Sequence, residues 1–371
     1  MEFRIKKADL TKALAKVQGI TGKKSNIPIT SNVVLSVKNN HLGISATDLE
    51  IAFEGKYEVE ALKEGECAVP SRKLYEIVRE FPSESLLVKE LENKWVQVLD
   101  EKVEYNIVGM DTEEFPGIPS IEQMKLFEMD KDILRDMIEK TQYAVLTDEG
   151  RVNLTGVFFE EIVEGDEKRL RMVATDGHRL SRIDSPIGAD MGFSLRKGVI
   201  IPRNGIIEIA KALDDAEGVE IGVKDNNFVL KKKSEALIIR IIDGEFPDYN
   251  LVIPKKVKHV MKINKDAFLR MLKRMSILSS SKYRSVRCEI RKDQVETITT
   301  NPEIGESREV MSVEYGGDNI DIAFNPRYII DALNSMRSEE VRLSLNDGET
   351  PCIIEGDDDP GFLGVLMPMR I

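Results

Sequence analysis

At 371 residues, 42% of them hydrophobic, the chain has length for two or three domains and apolar content for a core in each. Its net charge of −12 excludes a protein that coats nucleic acid with a basic surface, though not one that encloses it with its cations gathered on one face. No apolar run approaches the roughly 20 residues of a membrane span, Met1 leads into an amphipathic strand, and Cys67, Cys288 and Cys352 lack CxxC spacing, so a cytoplasmic protein with reduced thiols is expected.

Phe3-Arg-Ile alternates at period two, as a half-buried strand does. Leu10, Leu14 and Val17 then repeat at helical spacing over 9–17, with a stop near Gly19. Strand patterns follow at 32–37 and 41–46 about a Lys38-Asn-Asn turn, then at 51–59 and 65–69. Pro70 opens a second helix, 72–81, ended by Pro82. Four strand-like stretches finish the segment, 86–91, 95–99 and 103–108 among them. The order is β-α-β-β-β, twice.

The same text recurs downstream. Phe3, Ile5, Leu10 and Leu14 are matched by Phe127, Met129, Leu134 and Ile138, and again by Met261, Ile263, Phe268 and Leu272. Val69-Pro-Ser-Arg is echoed by Ile201-Pro-Arg and Phe324-Asn-Pro-Arg, and Glu-Phe-Pro stands at 114–116 and 245–247. Hairpin turns are expected at Asn226-Asn and Gly316-Gly-Asp. Repeats of about 125 residues exceed the roughly 20–50 of a solenoid unit and are domain-sized. Three α+β domains follow, at 1–121, 122–256 and 257–371, each with two helices on antiparallel sheet.

Lys and Arg recur on the predicted helices: Lys12, Lys16, Arg135, Lys140, Arg270, Lys273 and Arg274 on the first of each pair, Arg72, Lys73, Arg79, Arg203, Lys211, Arg327 and Arg337 on the second. Solvated helix faces are the alternative, and Asp132, Asp136 and Glu139 dilute the signal in the middle repeat. If two helices per repeat line a hole at a spacing of roughly 9–10 Å, six leave about 8 Å free and twelve about 26 Å, so a duplex needs two chains.

No HExxH, Walker loop or Gly-x-Ser-x-Gly appears, and His41, His178 and His259 are isolated. Gly356-Asp-Asp-Asp-Pro-Gly lacks the closing Glu of a calcium loop and reads as an acidic turn. Asp176-Gly-His178-Arg179 has no nucleophile or second ligand beside it and reads as a tight turn facing a groove. Neither metal nor cofactor is expected, and no enzyme activity.

With Ala174-Thr-Asp-Gly-His-Arg-Leu180, Glu245-Phe-Pro-Asp-Tyr249 and Leu366-Met-Pro-Met-Arg-Ile371, the chain resembles the bacterial DNA polymerase III β subunits, the replicative sliding clamps, along its whole length. The resemblance implies a non-catalytic, head-to-tail homodimeric ring that encircles duplex DNA without sequence preference. It also implies clients: the polymerase III α subunit, the clamp loader, other polymerases, ligase and mismatch-repair proteins. These dock Gln-Leu motifs with a hydrophobic pair in a groove here made of Leu154, Thr175, Gly177, His178, Arg179, Leu180, Pro247, Val252, Val365, Met367, Pro368, Met369 and Arg370. For residues 366–371 an ordinary last strand is the alternative, compatible with the first reading. Leu251 stands where a basic residue is common. The dimer contact implied is Tyr105 and Ile107 against Ile277, Leu278 and Tyr283, with Lys73 facing Glu303, Glu306 or Glu309; core packing competes for Ile107 and Leu278. Lys24 and Arg151 are DNA-contact candidates, with a solvated loop the alternative for each. Two other readings stay open: a peptide-binding adaptor that does not encircle DNA, and a metal-dependent nuclease using Asp176 and His178.

Overall fold

The period-two alternation at the N-terminus becomes the strand Glu2–Lys6, and the helical stripe behind it becomes α1, Lys7–Thr21. A computed structural model describes residues 1–22, 27–148, 150–187, 191, 193–278 and 285–370. Helix α1 runs through Gly19 because Ile20 and Thr21 continue the buried stripe of Leu10, Ala13, Leu14 and Val17. The remaining helices among the described residues are α2 Ser71–Glu80, α3 Lys131–Glu139, α4 Arg203–Leu213, α5 Lys265–Met275 and α6 Pro326–Ser335. The last two start on side-chain caps: Asn264 accepts from the Ala267 amide at 2.9 Å, and Asn325 from the Arg327 amide at 3.1 Å.

Contacts divide the chain into two compact units, one chiefly of residues 1–131 and 207–241, the other of 132–190, 194–206 and 242–371. In the first, Glu60–Lys63, Glu2–Lys6, Ser85–Glu90, Trp95–Leu99 and Glu104–Val108 form a five-stranded sheet in that order. An eight-stranded sheet runs Phe127–Met129, Val219–Lys224, Asn227–Lys232, Glu235–Arg240, Ile51–Glu58, His41–Thr47, Asn32–Lys38 and Gly65–Pro70. Its halves come from different repeats and join where Leu237 pairs with Phe53.

The second unit repeats the plan. Val199–Pro202, Gly156–Glu164, Glu167–Thr175, Arg179–Pro186, Phe362–Leu366, Cys352–Gly356, Glu340–Leu345 and His259–Asn264 make an eight-stranded sheet joined where Leu180 pairs with Val365. Gly305–Ser312, Gln294–Asn301, Val286–Arg291 and Ile320–Phe324 make a four-stranded sheet. Every pairing among these strands is antiparallel.

Three expectations are corrected. Three strands follow α2 in the first repeat, where four were expected. Glu60–Lys63 is an unexpected strand, since its exposed Glu-Ala-Leu-Lys carries no alternating pattern. Gly316 to Asp318 is not a hairpin turn, because Gly305–Ser312 and Ile320–Phe324 lie at opposite edges of their sheet. The hairpins at Asn39-Asn40 and Asp225-Asn226 do form, with all four residues at positive φ, the conformation of the tight turns that suit twisted strands.

Candidate protein-docking groove

In the second unit the segment Ala174 to Leu180 folds into a turn held by its own side chains. The Asp176 carboxylate accepts from the amides of His178 at 2.9 Å and Arg179 at 3.0 Å. The Thr175 hydroxyl accepts from the Gly177 amide at 3.1 Å and donates to the Arg179 carbonyl at 2.6 Å. Gly177 is at φ 89°, and a Cβ there would meet the Arg151 guanidinium at 2.9 Å, so both backbone and space call for glycine. The C-terminal segment runs past this turn: the Met367 amide donates to the His178 carbonyl at 3.0 Å and the Met369 amide to the Ala323 carbonyl at 2.8 Å.

An apolar floor lies beside the turn. Val173, Leu180, Tyr249, Ile353, Leu363 and Val365 form a buried cluster, with Phe158, Phe246, Val252 and Ile253 packed on it half-exposed. The rings of Phe158 and Phe246 stack at 4.9 Å. Leu180, Val252 and Val365, inferred from the sequence, are thus brought together, while Leu154 is buried. Thr175, Gly177, His178 and Arg179 form the turn; Met367 and Pro368 are half-buried, and Pro247, Met369 and Arg370 are exposed. Leu251 is exposed to 81%, an apolar side chain presented to solvent next to Val252.

Arg179 anchors the turn to its surroundings. Its guanidinium donates to Asp176 at 3.0 Å, to Asp331 on α6 at 2.6 Å and to the Tyr143 carbonyl at 2.5 Å. It lies 4.6 Å from the centroid of the Tyr328 ring and 5.3 Å from that of Tyr143. Arg171, Asp184, Tyr249 and Glu160 form a second network: Arg171 forks onto Asp184 at 2.6 Å, and the Tyr249 hydroxyl donates to Glu160 at 2.5 Å. Burial, and then the Glu160 carboxylate, raise the pKa of Tyr249. Sequence reasoning missed Phe246, Ile253, Leu363 and this network. Glu245-Phe-Pro-Asp-Tyr signalled the first of these, but as a repeat marker rather than as a wall.

The first unit carries the same turn. Ala46-Thr47-Asp48 repeats Ala174-Thr175-Asp176; Asp48 accepts from the Glu50 and Ile51 amides at 3.0 and 2.7 Å, and Thr47 accepts from the Leu49 amide and donates to the Ile51 carbonyl, each at 3.0 Å. The Arg240 amide donates to the Glu50 carbonyl at 2.8 Å, as Met367 does to His178. Here, however, Ile118, Ile121, Met124 and Leu126 of the connecting segment cover the floor of Ala52, Val229, Ala236 and Ile238.

The other inferred sites are dispersed. Tyr105 and half-buried Ile107 lie on Glu104–Val108, an edge strand of the five-stranded sheet; Ile277 is 75% exposed and Leu278 half-buried in the turn after α5. Lys73 bonds Glu76 at 2.8 Å within α2, Glu309 is held by Arg274, and exposed Glu303 and Glu306 flank and enter the edge strand Gly305–Ser312. Arg151 donates to the Asp176 carbonyl at 3.1 Å, and Lys24 and Tyr283 lie outside the described residues. Among the predicted helix cations, Lys140 is buried against Asp136 and Asp359, and Arg337 lies beyond α6. Arg203, Arg270, Lys273 and Arg327 are exposed with no ion pair among the described residues.

Both Asp176 oxygens are committed to the turn and to Arg179. Among the described residues no group of three His, Cys, Asp or Glu could hold a metal. Burial pushes the Cys67 and Cys288 thiols up to about 12, which removes thiolate character at neutral pH.

Comparison with known proteins agrees along the full length. The N-terminal, central and C-terminal domains of the DNA polymerase III beta subunit match residues 1–119, 128–248 and 250–370. The chain is 32% identical to the beta sliding clamp of Vibrio cholerae and 31% identical to that of Haemophilus influenzae, covering 100% of both chains each time. The structure of Caulobacter crescentus pol III beta is similar with a TM-score of 0.94 at 31% identity, again over 100% of both chains.

Proposed function

The chain belongs to the DNA polymerase III beta subunit family, the sliding clamps, and we propose that its second-unit groove is where clients dock while its edge strands close a ring. As a member it is a DNA polymerase processivity factor and a non-catalytic accessory subunit of the polymerase III holoenzyme. The observation that carries the docking reading is the half-exposed apolar wall of Phe246 and Val252 near a turn locked by its own hydrogen bonds, which also holds the amide of half-buried Met367. A rigid turn with an adaptable methionine at its rim suits short apolar motifs, whose affinity concentrates in one or two anchors. Exposed Leu251 extends the apolar rim where a basic residue would have met acidic client side chains. Polymerase subunits, the clamp loader, ligase and mismatch-repair proteins are the clients proposed.

Two chains, each of three clamp domains bounded at 1–121, 122–256 and 257–371, would meet head to tail through Glu104–Val108 and Gly305–Ser312. Each is an edge strand with unpaired backbone groups, the usual template for adding a strand. Duplex DNA inside the ring would be held by phosphate contacts alone, from exposed Arg203, Arg270, Lys273 and Arg327 with Lys24 and Arg151 as further candidates.

The test is paired. Met367→Ala should weaken binding of a Gln-Leu-type peptide about five- to thirty-fold by fluorescence anisotropy, with an unchanged melting temperature. Full affinity in that variant removes the groove assignment. Retention on nicked circular plasmid, lost on linearisation, tests encirclement, and sedimentation of an Ile277→Asp, Leu278→Asp protein as monomers tests the contact.

A further inference from the structure

In the second unit Arg179 bridges the segment after α3 and α6, with its guanidinium beside the Tyr143 and Tyr328 rings and bonded to Asp331. The repeats place the counterparts of these four residues in the first and second repeats. Counting from Leu10 and Leu134, Tyr143 corresponds to Gly19; counting from the shared Ala-Thr-Asp turn, Arg179 corresponds to Ile51. From the Ile-Ile-acid run, Tyr328 and Asp331 correspond to Gly205 and Glu208. Two rings and the guanidinium are gone, and the acid remains.

Two of these counterparts, Gly19 and Glu208, line a cavity of about 310 Å³ in the first unit, between α1 and α4 over the sheet. Its walls are mainly apolar, with Ala15 and Gly19 on α1, Ala212 on α4, and Phe53 and Leu237 beneath. The Glu208 carboxylate enters from the side, close enough to Gly19 that a Cβ there would overlap it, and only 8% of the residue is exposed. Five other lining acids and cations are already matched: Lys16 and Lys232 both bond Asp215 and Glu235, and Lys12 pairs with Asp215 at 3.3 Å. Glu208 is met by Lys211 at 2.8 Å, an i,i+3 pair whose lysine is 58% exposed and can swing into water at little cost.

We propose that this cavity binds a planar cation carried on an aromatic ring, an aryl amidinium or aryl guanidinium. The ligand would supply from outside what Tyr143 and Arg179 supply within the second unit. Its ring would fill the space over Phe53 and Ala212, and its cation would take Glu208 from Lys211. A pocket at the small end of the ligand-binding range that keeps the buried Glu208 carboxylate, met by an exposed lysine, on an apolar wall suits such a molecule. This inference is independent of the client groove, which lies in the other unit.

Benzamidine is the probe, and benzamide its neutral isostere, titrated into the full-length protein by ligand-observed NMR. Benzamidine should saturate one site per chain with a Kd on the order of 1 mM, and benzamide should bind at least tenfold more weakly. Glu208→Gln should weaken benzamidine at least tenfold and leave benzamide unchanged; Ala212→Phe, which fills the cavity, should abolish both. Lys211→Ala alters only a half-exposed side chain and should tighten benzamidine several-fold by removing its competitor. Absence of saturable binding, equal affinity for the two probes, or benzamidine affinity unchanged by Glu208→Gln or Lys211→Ala would overturn the assignment.

Discussion

Where the first two repeats join, Lys16 reaches Asp215 at 2.9 Å and Glu235 at 2.5 Å with 20% of its side chain still exposed. Where the last two join, the equivalent Lys140 is 2% exposed and pairs with Asp136 at 3.0 Å and Asp359 at 2.8 Å. The same difference recurs beside the turns: the connecting segment covers the floor at the first junction, and at the second a groove stays open while Arg179 and two tyrosines fill the interior. One repeat plan therefore yields two uses. The junction that leaves its outer floor open is braced inside by buried charge and stacked rings, and the one that covers its floor leaves a cavity within.

The sharpest way to break that comparison is to remove one acid from each junction. Asp359→Ala strips Lys140, the Arg337 and Ser338 amides and the Ser338 hydroxyl of a shared acceptor and leaves buried Lys140 to share Asp136 with Arg337. With Asp136 still paired to Lys140, it should lower stability by about 3 kcal/mol in chemical denaturation. Glu235→Ala should cost less, about 1–2 kcal/mol, because Lys16 keeps 20% of its side chain exposed to water. Equal losses would mean that burial does not separate the junctions.

Arg179→Lys comes next. It keeps the charge but loses the fork and the planar contact with both tyrosines, and should cost about 1–2 kcal/mol in thermal unfolding. Ile51→Val at the matching position should cost about 1 kcal/mol, as a deleted methyl does. A neutral Arg179→Lys would show that the stack is incidental.

Acid should act on both junctions in the same direction. Burial works to raise Asp359, but Lys140 and the amides of Arg337 and Ser338 outweigh it and hold its pKa below the usual carboxylate range. Burial likewise opposes charge on Asp215, and Lys232 and Lys16 overcome it. A depressed folded-state pKa contributes stability that is present above the unfolded value and lost as pH falls through the folded one. Urea midpoints should thus hold down to about pH 4 and decline below it. Asp359→Asn should flatten part of that decline, and an unaltered slope would remove Asp359 from the account.

The smallest effect belongs to the first unit's outer face. Glu54 stands where Arg182 stands in the second unit, and burial raises its pKa. The raised value means that the folded state disfavours its charge at neutral pH and recovers as pH falls. Glu54→Gln should therefore raise the melting temperature slightly at pH 7, with the gain shrinking toward pH 4; a gain independent of pH would point to packing instead.

Much of this is legible in the sequence. Alternation and helical spacing locate most strands and both helices of the first repeat, and recurrence of its apolar pattern the other two helix pairs, because these signals depend on residues two to four apart. The Ala174 to Leu180 turn could be read for the same reason, its hydrogen bonds spanning only two to four residues. The apolar groove members Leu180, Val252 and Val365 came from resemblance, and no local pattern would have joined them. What only the tertiary structure decided is where the repeats fuse: Leu237 finds Phe53 and Val365 finds Leu180 across more than 180 residues of chain, and nothing in either strand names its partner. Nor does the chain reveal that Lys140, a cation like any other on a helix pattern, is buried while Lys16 is not. Burial of a long charged side chain depends on acids delivered from distant segments, Asp359 in one case and Asp215 with Glu235 in the other, and on how closely the packed helices then exclude water.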